Sequence, residues 1–386
     1  MNYFTKQTVI FFCFSVFLFI LFSKSTFAAP PDSLDPAETF VRATVTKIVA
    51  QGTQSIGSTK SYTQRLQAEL LEGKQKGKFV SLDYSIDSRY VDSQKLQIGD
   101  SVIIDSRQNP DKSMLYSIYE PYRLPLLWWI LGAFIVLVML IAGRKGLGAL
   151  VGLLISIGII SFYIVPSIIK GADPLTVSCI GACGILFFTT YIAHGVSVKT
   201  TVALIGTGIA LVCTVLLSVW VVTLLHLFGL GNEDIQALVV GTNNTINPQG
   251  LLLGGILIGT LGALNDVTTT QSITMFTLVS ENPKQSLGTL FQKGMAIGKE
   301  HIASIINTLV LAYAGTSLAI FIFFSLNPAH LPFWILLNNE TTIEEVARTI
   351  VGSSGLMLAV PITTLLACFI ALKRERIEET IYRLLR

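Results

Sequence analysis

The sequence predicts an α-helical polytopic membrane protein with about seven transmembrane helices, preceded by a small extracytoplasmic all-β domain of OB-like outline. Three observations carry this. Only 13% of the 386 residues are charged, about half of the roughly 25% usual in soluble domains. The deficit is local: residues 124–372 hold 17 charged side chains in 249 positions and 26 of the 31 glycines, whereas residues 29–123 hold 24 charges in 95 positions. Seven apolar segments of spanning length fall in the first stretch, and five β-rich segments fall in the second. This composition excludes a cytosolic enzyme and a disordered chain. A net charge of +3 without a basic face also excludes a nucleic-acid partner.

At the N-terminus, Lys6 precedes a run of about fifteen mostly apolar residues, Thr8 to Phe22, followed by a short stretch closing on Ala28 and Ala29. The run is short for a span, so residues 1–28 read as a signal peptide cleaved after Ala28, with an uncleaved anchor as the competing reading. Residues 29–123 then lie outside the cytoplasm. Strands are expected at Phe40 to Val49, Tyr62 to Leu71, Lys78 to Ile86, Ser101 to Ser106 and Leu115 to Tyr119. Gly52, Gly57, Gly73, Gly77, Gly99 and Asn109-Pro110 supply the turns between them. Five short strands in about 90 residues fit a small curled barrel, and a sandwich suits the same spacing. No cysteine lies in this domain, so it is not a disulfide scaffold. Lys74, Lys76 and Lys78 read as a solvated hairpin tip.

The spans are expected near 124–142, 147–169, 174–193, 199–228, 248–264 or beyond, 302–324 and 349–372. With the N-terminal domain outside, eleven lysines and arginines fall on the inner side, among them Arg144, Lys145, Lys199, Lys299 and those of a basic tail at 373–386. Two, Lys170 and Arg348, fall on the outer side, a strong positive-inside signal. The C-terminus is therefore expected in the cytoplasm of a bacterial cell. Residues 265–300 are expected at the cytoplasmic face, partly dipping into the bilayer, with 265–280 either continuing the fifth helix or turning back. Phe324 to Leu337, interrupted by Pro328 and Pro332, reads as interfacial or re-entrant, and Thr342 with Glu345 as a capping box opening the last helix. Asp173 before Pro174 reads as a helix start. Gly148 with Gly152 and Cys179 with Cys183 have the spacing of close helix packing.

Two stripes place polar groups where a bilayer makes them costly. Gly255, Gly259, Gly262, Asp266 and Thr269 recur at helical spacing in the fifth span; Glu300, Ser304, Asn307 and Thr308 do so in the sixth. Asp266, Thr269, Glu300, Ser304 and Asn307 are the candidate transport or ion-binding residues of a seam between these two spans. Asp266 either binds a cation, a proton or a solute, or sits at the water interface as a helix cap. Asn307 lies deeper, where an amide bonds a neighbouring helix or a substrate. Enzyme motifs fail: Gly352-Ser353-Ser354-Gly355 has the form of a rhomboid-type serine motif, but no histidine follows it to take the proton. No catalytic, cofactor-binding or metal residue is assigned, and the sequence names no cofactor.

Gly143 to Leu147 (GRKGL), Lys199 to Gly208 (KTTVALIGTG), Gly259 to Val267 (GTLGALNDV) and Gly298 to Leu318 (GKEHIASIINTLVLAYAGTSL) together resemble the YibE/F-like family, over essentially all of residues 120–372. The resemblance implies a bacterial multi-pass membrane protein with an extracytoplasmic N-terminal domain. Asn265 stands where a hydrophobic residue is more usual, which leaves Asp266 as the firmer carry-over. The expected function is a permease or channel-like transporter of a small solute or ion, with the lipid bilayer as its solvent and a homo-oligomer compatible with the chain. The alternative is a non-transporting envelope sensor or assembly factor that uses the outer β domain.

Overall fold

A computed structural model describes residues 40–56, 59–73, 75–87, 94–108, 114–242, 245–327 and 330–384. The expected signal peptide, the Asn109-Pro110 turn, Lys74 and Pro328 lie outside them. The described chain divides into two compact units, with the boundary between Leu137 and Val138.

In the first unit, β1 (Phe40–Ile56), β2 (Thr59–Leu70), β3 (Phe79–Asp87), β4 (Ser101–Gln108) and β5 (Met114–Pro121) pair antiparallel in the order β3-β2-β1-β4-β5. β3 also approaches β5, so a single sheet nearly closes on itself, in OB-like outline rather than as a sandwich. Period-two alternation sends Val45, Leu66, Leu82, Val102 and Ile104 into one core. Register shifts between Val45 and Lys47 and between Ile48 and Ala50 give β1 the bend that closure needs. The buried amide of Gln64 stands in for a strand neighbour: its Nε2 donates to the Leu96 carbonyl at 3.1 Å, and its Oε1 accepts from the Leu96 N–H at 2.9 Å. Outside, Arg42 pairs with Glu72 and donates to the Tyr122 hydroxyl at 3.2 Å, and Arg65 pairs with Asp83 at 2.8 Å. The hydrogen bond from each arginine holds Glu72 and Asp83 below the usual carboxylate range.

The helices are α1 (Leu124–Ile159), continued by a π-helical turn at Ile160–Ile164 and by α2 (Val165–Ile169), then α3 (Pro174–His194), α4 (Val198–Leu224) and α5 (Glu233–Gly241). There follow α6 (Pro248–Glu281), α7 (Leu287–Thr316), α8 (Leu318–Leu326), α9 (Phe333–Leu337) and α10 (Glu340–Leu384). By length and composition, five of these helical stretches can cross a membrane, or six if α7 and α8, bent by 61° at Ser317, count as one. The number departs from the expected seven because the first two expected spans form one 46-residue stretch. Its 46 residues are more than twice the roughly 20 that cross a bilayer's apolar core. Gly143 interrupts it where the two expected spans meet, at φ 53° and ψ −134°, torsions that favour glycine.

Of the two courses open to residues 265–280, the structure takes the continuing one: α6 runs unbroken to Glu281, with Thr268, Gln271 and Ser272 finding partners on neighbouring helices. One further expectation is corrected. The last helix opens at Glu340, before the expected capping box, and Asn339 Oδ1 accepts the Thr341 N–H at 3.0 Å. Glu340 is drawn instead to the chain after α4, where its Oε1 accepts from the N–H groups of Phe228 and Gly229 at 2.8 and 3.1 Å. Asp173 caps α3 as expected, accepting from the Thr176 N–H at 2.9 Å.

α6 packs chiefly against α10, α4 and α3, and α7 lies mainly against α10. The contact faces mix small and polar residues with apolar ones. α4 buries Ala203, Gly206, Thr207, Ala210, Thr214 and Ser218 beside Val202, Leu211 and Val222, and exposes Ile205, Ile209, Val212, Leu216 and Trp220. Large apolar groups thus lie on both sides of the helix, and the small residues let neighbouring helices approach closely, as they do in lipid. A methyl group on Gly206 would stand 2.5 Å from Thr363 Oγ1, and one on Gly355 would collide with Thr214 Oγ1. Gly148 similarly meets the Ile192 carbonyl of α3, 3.0 Å from where its methyl would be. Gly352 and Gly355 of the serine-motif lookalike thus serve helix contact.

Candidate functional site

The second half of α6 carries a layer of polar side chains buried between helices. Thr190 of α3 donates to Asn265 Oδ1 at 2.8 Å. The Thr268 hydroxyl meets that of Thr207 on α4. Gln271 Nε2 donates both to the Gly294 carbonyl of α7 at 2.9 Å and to Thr364 Oγ1 of α10 at 2.7 Å. Ser272 Oγ donates to the Lys199 carbonyl of α4 at 2.7 Å. Each partner removes the desolvation cost of a group that has no water to turn to. The layer also holds a choice of protons: Thr207 can donate to the Ala203 carbonyl and Thr268 to the Asn265 carbonyl, yet the two hydroxyls also face each other. Two protons serve three bonds, so one is always unmade.

The five expected site residues are not brought to one place. Thr269 is buried in the polar layer, and its Oγ1 has no hydrogen-bond partner among the described residues. Asp266 is exposed on the single chain, on the same face of α6 as the open glycines Gly259 and Gly262. Glu300, Ser304 and Asn307 are exposed on α7, whose packed side is formed by Gly294, Gly298 and the residues in line with them. Among the described residues, no hydrogen bond joins any two of the five.

Sequence reasoning marked the threonine run after Asp266 but missed the partners, Thr190, Thr207 and Thr364. A signal was present. Thr207 stands between Gly206 and Gly208 in an apolar helix, where small neighbours leave space for a hydroxyl to reach across.

Residues 130–373 match the family model described as YibE/F-like protein, and residues 40–121 match the one described as YibE/F family N-terminal domain. The two matches correspond to the helical region and to the β sheet. No match was found among curated proteins or among solved structures.

Proposed function

The chain belongs to the YibE/F-like family, and from that premise we propose that it is a permease or channel-like transporter that moves a small solute or ion along the open side of α6 facing α7. One observation supports this above the others. Asp266 and Glu300 are exposed on helices that are otherwise apolar enough to span a membrane or pack in one. A carboxylate turned to lipid would be costly, so these faces belong to water, a cargo or a protein. The break at Ser317 adds a hinge to α7, the helix on the far side of the path.

We place the protein in the bacterial plasma membrane with its β domain outside and its C-terminus in the cytoplasm. The support is the eleven-to-two sorting of basic residues in the sequence. It is not read as an enzyme, since no set of acid, base and nucleophile can be drawn from its polar groups. The competing reading is an envelope sensor or assembly factor. It is favoured by the exposed Phe40 and Tyr119, whose rings pack at 5.0 Å on the surface of the β sheet.

The test is flux of a panel of inorganic ions and small carboxylates into proteoliposomes under an imposed gradient. Asp266→Asn and Asn307→Ala are expected to reduce flux at least tenfold while both variants purify like the parent. Unchanged flux in both removes the proposed path and leaves the sensor reading standing.

A further inference from the structure

We propose that Arg348, where α10 meets Gly255 of α6 and lies near Tyr313 of α7, binds an oxyanion, a carboxylate or phosphate group; that the carried solute bears this group rests on the transport reading above.

Arg348 lies in the part of α10, Glu340–Lys373, that is apolar enough to cross a membrane, and its side chain is only 26% exposed. A guanidinium stays charged in a protein and has five N–H donors to satisfy. The ion pair found for it is one turn back on its own helix, with Nε 3.6 Å from Glu345 Oε1, which is beyond hydrogen-bond length. Nε itself is buried and has no hydrogen bond among the described residues. A buried donor left in this state is costly, and it is the kind of group a ligand relieves.

Small residues surround it. Nη1 stands 3.4 Å from where a methyl on Gly255 would be, an ordinary contact that a side chain branched at Cβ would turn into a clash. One turn further along α6 and α10, the Tyr313 hydroxyl of α7 is 3.8 Å from the corresponding position at Gly259 and 3.9 Å from that at Gly352. That hydroxyl has no hydrogen-bond partner among the described residues. Two donor groups on two helices therefore border one floor of glycines, a donor set that suits an oxyanion. Glu345 lies one turn back, and Glu344, which the charge of Arg348 also reaches, accepts the Gly231 N–H at 3.0 Å. Glu345 offsets the charge of Arg348 but cannot satisfy the buried Nε at its distance, whereas an incoming oxyanion can.

The experiment uses the full chain in phosphatidylcholine nanodiscs and measures equilibrium binding of radiolabelled inorganic phosphate and of acetate at constant ionic strength. A parallel arm adds phosphatidylglycerol and reads bound lipid by native mass spectrometry. Saturable binding is expected in the parent, at least tenfold weaker in Arg348→Gln and a few-fold weaker in Tyr313→Phe. Gly255→Val keeps the arginine but fills the niche, and it is expected to weaken binding at least tenfold, which guards against Arg348→Gln failing to fold. A phosphatidylglycerol adduct that needs Arg348, without phosphate or acetate binding, keeps the oxyanion site and overturns its assignment to a carried solute. No saturable binding of any probe, or parent-like binding in both Arg348→Gln and Gly255→Val, overturns the site. Failure of the site and failure of the transport reading remain separable. Binding that persists while Asp266→Asn and Asn307→Ala leave flux unchanged removes the path alone, and flux lost in those variants without any anion binding removes the niche alone.

Discussion

In the β unit, the fully buried side chains are large and apolar, Leu66, Leu82 and Ile104 among them, while Arg42, Glu72, Arg65 and Asp83 pair on the surface. In the helical unit, large apolar side chains such as Ile256, Leu257, Leu264 and Met275 are buried too, but glycine, alanine, serine and threonine share the contact faces, and Ile205, Leu216 and Trp220 point outward. One chain thus treats its outer surface by two opposite rules. The difference teaches that burial follows the solvent: water expels apolar area, whereas lipid is indifferent to it and penalises unpartnered polar groups.

The sharpest way to break this comparison is to truncate a leucine in each unit. Leu66→Ala removes a side chain that is 0% exposed and is expected to cost about 2–5 kcal/mol. Leu216→Ala removes one that is 65% exposed and is expected to stay within about 0.5 kcal/mol. Hydrogen exchange of the full chain in nanodiscs reads both, and equal loss of protection would refute the outward placement of Leu216. A smaller effect is expected from Gly206→Val, where the added carbons meet Thr363. The cost is about 1–3 kcal/mol, seen as a lower apparent Tm and a loss of monodispersity. Gly208→Val is the control, since nothing lies within 4 Å of its added methyl, and it should be tolerated.

The smallest effect concerns charge. The folded-state pKa of Glu72 is depressed by its hydrogen bond from Arg42, so this pair stabilises the β unit above the unfolded carboxylate pKa and is lost as pH falls through the depressed value. Glu72→Gln should therefore weaken exchange protection of β1 and β2 near neutrality and match the parent only in acid strong enough to protonate Glu72 in the folded chain. A difference that persists or grows in acid would contradict the assignment.

Much of this was legible beforehand. The five strands were readable because alternation and turn residues are local, and β1 alone ran on well past its expected end. The helices were readable from apolar length. The continuation of α6 past Leu264 was not, because Asn265-Asp266-Val267-Thr268-Thr269 has the composition of a loop until Thr190, Thr207 and Thr364 are known to be its neighbours. The α7 stripe was visible as a stripe, but periodicity alone does not say whether Glu300, Ser304 and Asn307 face another helix or turn away from it.

The sequence by itself determined which solvent each region faces, since hydropathy and charge are sums over neighbouring residues. Only the tertiary structure decided which small faces touch, that Arg348 rests beside Gly255, and that Thr190, Thr207 and Thr364 meet the second half of α6. The physical reason is that a glycine or threonine carries almost no information about its partner. Contacts between such faces are set by the fit of whole helices, which is a property of residues far apart in the chain.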